Sequence, residues 1–388
     1  MIKLIKGGIL YAPDYKGIKD ILIADGKIAA IEEEINLESP YIELIDAMGK
    51  IVAPGFIDNH VHITGGGGEG GYKTRTPELF LSDAIKGGIT TLVGVIGTDG
   101  TTRTMTSLIA KAKALKEEGI SCFIHTGSYQ VPVKTLTSKI EDDLLLIEEV
   151  IGVGEIAIAD HRSSQPDYRE LAKIAAAARV GGMLSGKAGI VNIHIGDSES
   201  KLSLLSDVIK NTDLPIKQFL PTHINRNRKL FEAGIEYAKR GGYVDFTTSS
   251  IAKFIENGEV KCSNGLKEML ENGVSIEQIT FSSDGQASLP EFNHNGEFVG
   301  LQVGRVTSLY KEVKDAIVHE GIDIEVALKV ITSNPANVLK LSQKGTIEVG
   351  KDADIIFINK DSFEIETVIA QGKLMMHENK LLVKGTFE

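Results

Sequence analysis

The chain has 388 residues, 42% hydrophobic and 24% charged, an ordinary composition for a globular protein with a large core. Its net charge of −11 argues against nucleic acid and anionic membrane as partners. Two cysteines without CxxC spacing, Cys122 and Cys262, argue against a disulfide framework and for a reducing, cytoplasmic setting.

The opening Met1-Ile2-Lys3-Leu4-Ile5-Lys6-Gly7 carries charges inside its apolar run, so it reads as neither signal peptide nor membrane span. Residues 1–53 read as short strands and turns. Asp25-Gly26 between two apolar runs predicts a hairpin over Lys19 to Ile31. From Pro54 onward, apolar runs alternate with helix-like stretches. The runs are Gly55–Ile63, Thr90–Gly97, Ser121–Ser128, Ile151–Ile158, Gly189–Ile195, Lys217–His223, Gly242–Thr247 and Gln278–Ser283. Helical patterns fall between them, at 104–118, 139–150, 168–179, 201–211, 227–240 and 264–272, and continue at 304–320 and 324–332. Eight strand–helix units predict an α/β fold, a (β/α)8 TIM-like barrel over 54–343. Strand patterns return at 345–350, 353–358, 368–376 and 380–384. Neither terminal stretch is long enough to bury a core alone, so 1–53 and 344–388 are expected to combine into one small β-sandwich domain.

The stretch Pro54-Gly-Phe-Ile-Asp58-Asn-His60-Val-His62 reads as the first barrel strand. Alternation puts Asp58, His60 and His62 on one face, and the two imidazoles form a chelating pair. Barrels of this kind carry their chemistry at the C-terminal ends of the strands. The polar residues at those ends are His60 and His62, then Glu155, His194, His223 and Asp284. Four imidazoles and two carboxylates at one mouth suit a borderline cation such as zinc. The glycine run Gly65 to Gly68 lacks a following Gly-Lys-Ser/Thr and is no phosphate loop. Of the remaining histidines, His125 reads as core or as support for a ligand. His161 reads as support for the site, and His294, His319 and His377 as solvent-facing.

The order His-x-His, acid, His, His, Asp resembles that of the amidohydrolase superfamily, as do Pro-Gly-Phe-Ile-Asp-x-His-x-His and the late Gly-x-Ile-x-x-Gly-x-x-Ala-Asp at 345–354. The chain is most similar to the isoaspartyl (β-aspartyl) dipeptidases, metallopeptidases of that superfamily. The blocks carrying this are Gly65-Gly-Gly-Gly-Glu69, Gly97-Thr-Asp99, Thr126-Gly-Ser-Tyr129, Asp160-His-Arg162, Arg179-Val-Gly-Gly182, Thr222-His-Ile-Asn-Arg226-Asn and Ser282-Ser-Asp284-Gly.

The resemblance implies two zinc ions, one held by His60, His62 and Asp284 and the other by His194 and His223. A strand-four residue and a hydroxide would bridge them. Asp284 would take the hydroxide's proton and pass it to the departing amine, and Tyr129 would donate to the oxyanion. The substrate implied is an isoaspartyl dipeptide, with one ammonium and two carboxylates. Glu69 would accept the ammonium, and Arg162 and Arg226 would clamp the carboxylates. Thr98 and Ser288 would donate neutral hydrogen bonds, and Gly67 and Gly68 would admit the ligand close to backbone. The family also implies a homo-oligomer, with an octamer as one form.

The chain departs from the family at one ligand. Most members bridge the cations with a carboxylated lysine. Here the position seven before Arg162 is Glu155, in a run that reads one residue longer. Glu155 is therefore expected to bridge directly, with the backbone shifted inward and no need for bicarbonate. The competing readings are an amidohydrolase acting on a cyclic amide, such as dihydroorotate or a hydantoin, or on an N-acyl amino acid, and a barrel without catalysis.

Overall fold

The structure, a computed structural model, describes residues 2–293, 295 and 297–388; His294 lies outside the described residues. Five strands open the chain: β1 (Ile2–Tyr11), β2 (Tyr15–Ala24), β3 (Lys27–Glu32), β4 (Ile42–Asp46) and β5 (Lys50–Pro54). β2 and β3 form the expected hairpin. Asp25 and Gly26 take φ of 51° and 73°, the left-handed pair that matches strand twist in a two-residue turn.

Eight strands follow: β6 (Phe56–Val61), β7 (Ile89–Gly94), β8 (Ser121–Thr126), β9 (Val150–Ile158), β10 (Ile190–Ile195), β11 (Phe219–Thr222), β12 (Val244–Thr247) and β13 (Ile279–Ser282). Helices alternate with them, among others Met105–Glu118, Tyr168–Ser185 and Arg228–Lys239. β6 to β11 pair in sequence order, all parallel, and β12 pairs parallel with β13. At one seam Ile224 N donates to Asp245 O at 3.2 Å. At the other, Asp284 N donates to His60 O at 3.1 Å and His62 N to Gly285 O at 3.0 Å. This curled parallel sheet is consistent with the expected (β/α)8 barrel. Its strands read as unbroken apolar runs because they are covered on both faces. Ile57, Val93, Ile151, Ile190 and Leu220 form a separate cluster with Leu339 and Leu341.

A hairpin of β14 (Ser288–Phe292) and β15 (Phe298–Val303) precedes the helix Ser308–Val318. The chain ends in β16 (Ile355–Asn359), β17 (Ile365–Ala370), β18 (Lys373–His377) and β19 (Lys380–Leu381). The terminal strands hydrogen-bond into one nine-stranded sheet, not two separate ones, because β5 pairs with β1 on one side and β16 on the other. Alternation along β5 and β16 assigns the faces. Val52, Ile355 and Phe357 join the small sheet's own core, while Ile51, Ala53, Ile356 and Ile358 join the large core shared with the barrel.

Several elements differ from expectation. The stretch 345–350 is turn rather than strand. The single strand expected over 368–376 is the hairpin β17–β18, turning at Gln371-Gly372. The helix predicted to stop at 179 runs to Ser185. Gly181 and Gly182 permit that, since a Cβ on Gly182 would lie 2.7 Å from Gly189 Cα. Among the described residues, no helix is long and apolar enough to cross a membrane.

A buried ion cluster ties the C-terminal segment to the barrel. Lys344 Nζ lies 2.7 Å from Asp354 Oδ2 and 2.8 Å from Asp352 Oδ2. Burial disfavours the charge on Lys344, but the two aspartates outweigh it and raise the ammonium's pKa. Asp354 also accepts from Gln371 N at 2.7 Å, and its carbonyl accepts from Gly55 N at 2.8 Å, one residue before β6. Removing one partner of a buried pair strands the other. Lys344→Ala is therefore expected to lose about 3 kcal/mol of stability in urea titration. A loss near zero would mean the cluster is solvated.

Candidate metal centre

The centre is built around one carboxylate. Glu155 is fully buried on β9. Its Oε2 lies 3.3 Å from His60 Nε2, 3.1 Å from His194 Nδ1 and 3.8 Å from His223 Nε2, and its Oε1 lies 3.5 Å from His62 Nε2. Asp284 Oδ1 closes the ring, 3.1 Å from His62 Nε2 and 3.7 Å from His60 Nε2. Two overlapping groups could each hold a cation: His60, His62 and Glu155, and Glu155, His194 and His223.

Irregular backbone aims these side chains. On β9, Val153 pairs with Val191 and Ile156 with Ile193, so Gly154 and Glu155 together face Asn192. This is a bulge, and it accounts for the extra residue in the sequence. Gly154 has φ of 143° and a Cβ there would lie 2.6 Å from Asn192 O, so only glycine fits. β6 is also irregular, between Asp58 and Val61. Asp58 consequently leaves the face shared by His60 and His62. Its Oδ1 accepts from Ser283 N at 3.0 Å, and burial pushes its pKa up to about 7. His223 and Asp284 take left-handed φ of 65° and 51°, uncommon for side-chain-bearing residues and frequent at functional sites.

The donor set fits a cation by its unpaired atoms. His60 Nε2, Glu155 Oε1 and Asp284 Oδ1, which face the cup, are buried without a hydrogen-bond partner among the described residues. Such atoms are costly unless something pairs with them. His60 Nδ1 lies 3.1 Å from Asn192 Oδ1, which accepts its proton and leaves the Nε2 lone pair facing the cup. His223 Nδ1 contacts Thr247 Oγ1, a hydroxyl able to accept the ring proton. His194 lies between carboxylates, with Nε2 3.1 Å from Asp160 Oδ2 and Nδ1 toward Glu155. Burial opposes charge on Glu155 and Asp284, yet the surrounding imidazoles hold both carboxyl groups below their usual range.

The cup opens into a cavity of about 870 Å³. Glu69, Gly67, Thr98, Tyr129, Arg162, Arg226 and Ser288 line it. Gly68, expected at the site, is not among the lining residues. Glu69 Oε1 accepts from Thr98 Oγ1 at 3.0 Å and from Arg162 Nη1 at 3.4 Å. Arg162 grips Asp160 through two bonds, Nε to Oδ1 at 3.0 Å and Nη2 to Oδ2 at 2.7 Å. Arg226 Nη1 donates to Ile195 O at 3.0 Å. Tyr129 Oη lies 2.8 Å from His194 Nδ1, and burial, then the Glu155 charge, raise the phenol pKa well above its ordinary value. The phenol is thus a proton donor at neutral pH.

Among the other histidines, His125 is buried and His319 exposed, as expected. His161 is exposed, so it does not support the ligands, and His377 is half-buried against Thr367. Sequence reasoning gave no role to Asp160 or Asn192, which orient His194 and His60. Both stand in the motifs Asp160-His-Arg162 and Asn192-Ile-His194, and that proximity was the available signal.

The amidohydrolase family matches residues 51–375 of the chain. The crystal structure of a beta-aspartyl dipeptidase from the thermophilic, keratin-degrading Fervidobacterium islandicum AW-1, in complex with β-Asp-Leu, is 48% identical over 98% of both chains, with a TM-score of 0.90. An allantoinase from Bacillus licheniformis is 27% identical over 92% of this chain and 87% of its own. A dihydropyrimidinase from Brevibacillus agri, 18% identical with a TM-score of 0.69 over 99% of this chain and 97% of its own, shares the fold. The chain belongs to the amidohydrolase family and, within it, to the beta-aspartyl dipeptidases.

Proposed function

We propose that the chain hydrolyses the β-amide bond of isoaspartyl dipeptides at two divalent cations, zinc by the chemistry of the donors, held by His60, His62, Glu155, His194, His223 and Asp284. The observation that carries this is the charge pattern of the cavity. Among the charged residues lining the cavity are a carboxylate, Glu69, and two guanidiniums, Arg162 and Arg226. They complement the ammonium and two carboxylates of a β-aspartyl dipeptide. A dihydroorotate or hydantoin carries no ammonium for Glu69 to accept.

Two cations in the cup would polarise the scissile carbonyl and acidify a water between them. The remaining work falls to the chain. Asp284, largely buried and beside His62, takes a proton from the attacking water and returns it to the amine nitrogen as the bond breaks. Tyr129 donates its phenolic hydrogen to the oxyanion. Asp160 holds the Arg162 guanidinium rigid, so less side-chain freedom is lost on binding. Glu155, a member of both candidate ligand groups, would offer its two carboxylate oxygens to the cations without an added carboxyl group.

Turnover of β-Asp-Leu should exceed that of α-Asp-Leu, dihydroorotate and N-acetyl-aspartate by orders of magnitude; comparable rates would refute the assignment. Tyr129→Phe should lower kcat about 10²–10³-fold with bound metal unchanged. Metal uptake by stripped protein should be the same with and without bicarbonate, and a steep rise with bicarbonate would rule out direct bridging by Glu155. Gly154→Ala should cost about 1–3 kcal/mol of strain and lower the metal content per chain, as measured by elemental analysis.

A further inference from the structure

Asp245, on β12, is fully buried and, among the described residues, makes no ion pair with Lys or Arg. Four neutral donors converge on its carboxylate. Asn59 Nδ2 and Thr280 Oγ1 donate to Oδ1 at 3.0 and 2.6 Å. Thr222 Oγ1 and Ser282 Oγ donate to Oδ2 at 2.6 and 2.5 Å. These donors come from β6, β11 and β13, across the two seams where the continuous strand ladder is interrupted. Three of them adjoin ligands: Asn59 precedes His60, Thr222 precedes His223, and Ser282 stands two before Asp284.

A carboxylate is a costly choice for a barrel interior when a neutral group could make a comparable clasp. Its carboxylate lies one hydrogen bond from Asn59 and one from Thr222, the residues that adjoin His60 and His223. We propose that Asp245 is a positioning residue whose charge, and not only its hydrogen bonds, holds the cation pair through the strands bearing His60, His223 and Asp284. This rests on the reading of the cup as a cation site.

Asp245→Asn separates charge from shape. The amide oxygen can keep Asn59 and Thr280, and the two amide hydrogens can be accepted by Thr222 and Ser282 after their hydroxyls rotate. The measurement is zinc affinity of the metal-stripped, full-length protein against a chromophoric chelator, beside the melting temperature of the same metal-free sample. Asp245→Asn is expected to bind zinc about 10–100-fold more weakly. Its metal-free form should melt no lower than the parent's, a combination that a merely structural role would not produce. Thr280→Val, which keeps the carboxylate and removes one clasp bond, should stay within about threefold of the parent in zinc affinity, below the loss expected for an outer partner of a ligand. Unchanged affinity in Asp245→Asn, an equal loss in Thr280→Val, or a metal-free Asp245→Asn that melts well below the parent or fails to fold would each overturn the inference. The carboxylate would then serve the barrel alone. A parent chain that takes up no zinc would instead overturn the cation site itself.

Discussion

The structure depends on placing one carboxylate among four imidazoles in the dry mouth of a barrel. Without a partner, Glu155 would lose far more in desolvation than a protein of this size can spare. The imidazoles keep it ionised, and it in turn gives them a common point to face. Atoms of both kinds remain unpaired inside the cup. That is a poor arrangement for a resting core and a good one for receiving positive charge.

Local order is given up to build it. A regular ladder would turn Glu155 away from the mouth, and the bulge at Gly154 turns it back. Left-handed backbone at His223 and Asp284 is held by its surroundings: Ile224 N and Asp284 N both donate across the seams. Irregular backbone thus stands where the ligands stand, although bulges also occur elsewhere in the sheets. The outer wall of the cavity follows the same logic, since Asp160 orients both an imidazole and a guanidinium.

Much of this was legible in the sequence. The alternation of apolar runs with helical patterns located all eight parallel strands, and the rule that chemistry sits at strand ends picked out the six candidate ligands. Less local features were not legible. Asp58 seemed to share a face with His60 because strict alternation hides a bulge. Gly345 to Gly350 looked like a strand although Ile347 is its one deeply buried apolar side chain. Asp245 appeared only as a carboxylate inside an apolar run. Its donors are separated from it by 186, 23, 35 and 37 positions, and only the closed ring brings them together.

The apolar cluster of Ile57, Val93, Ile151, Ile190 and Leu220, capped by Leu339 and Leu341, has a consequence for traffic. It sets a greasy underside beneath the cup, so a charged dipeptide would approach the ligands from above, through the polar cavity.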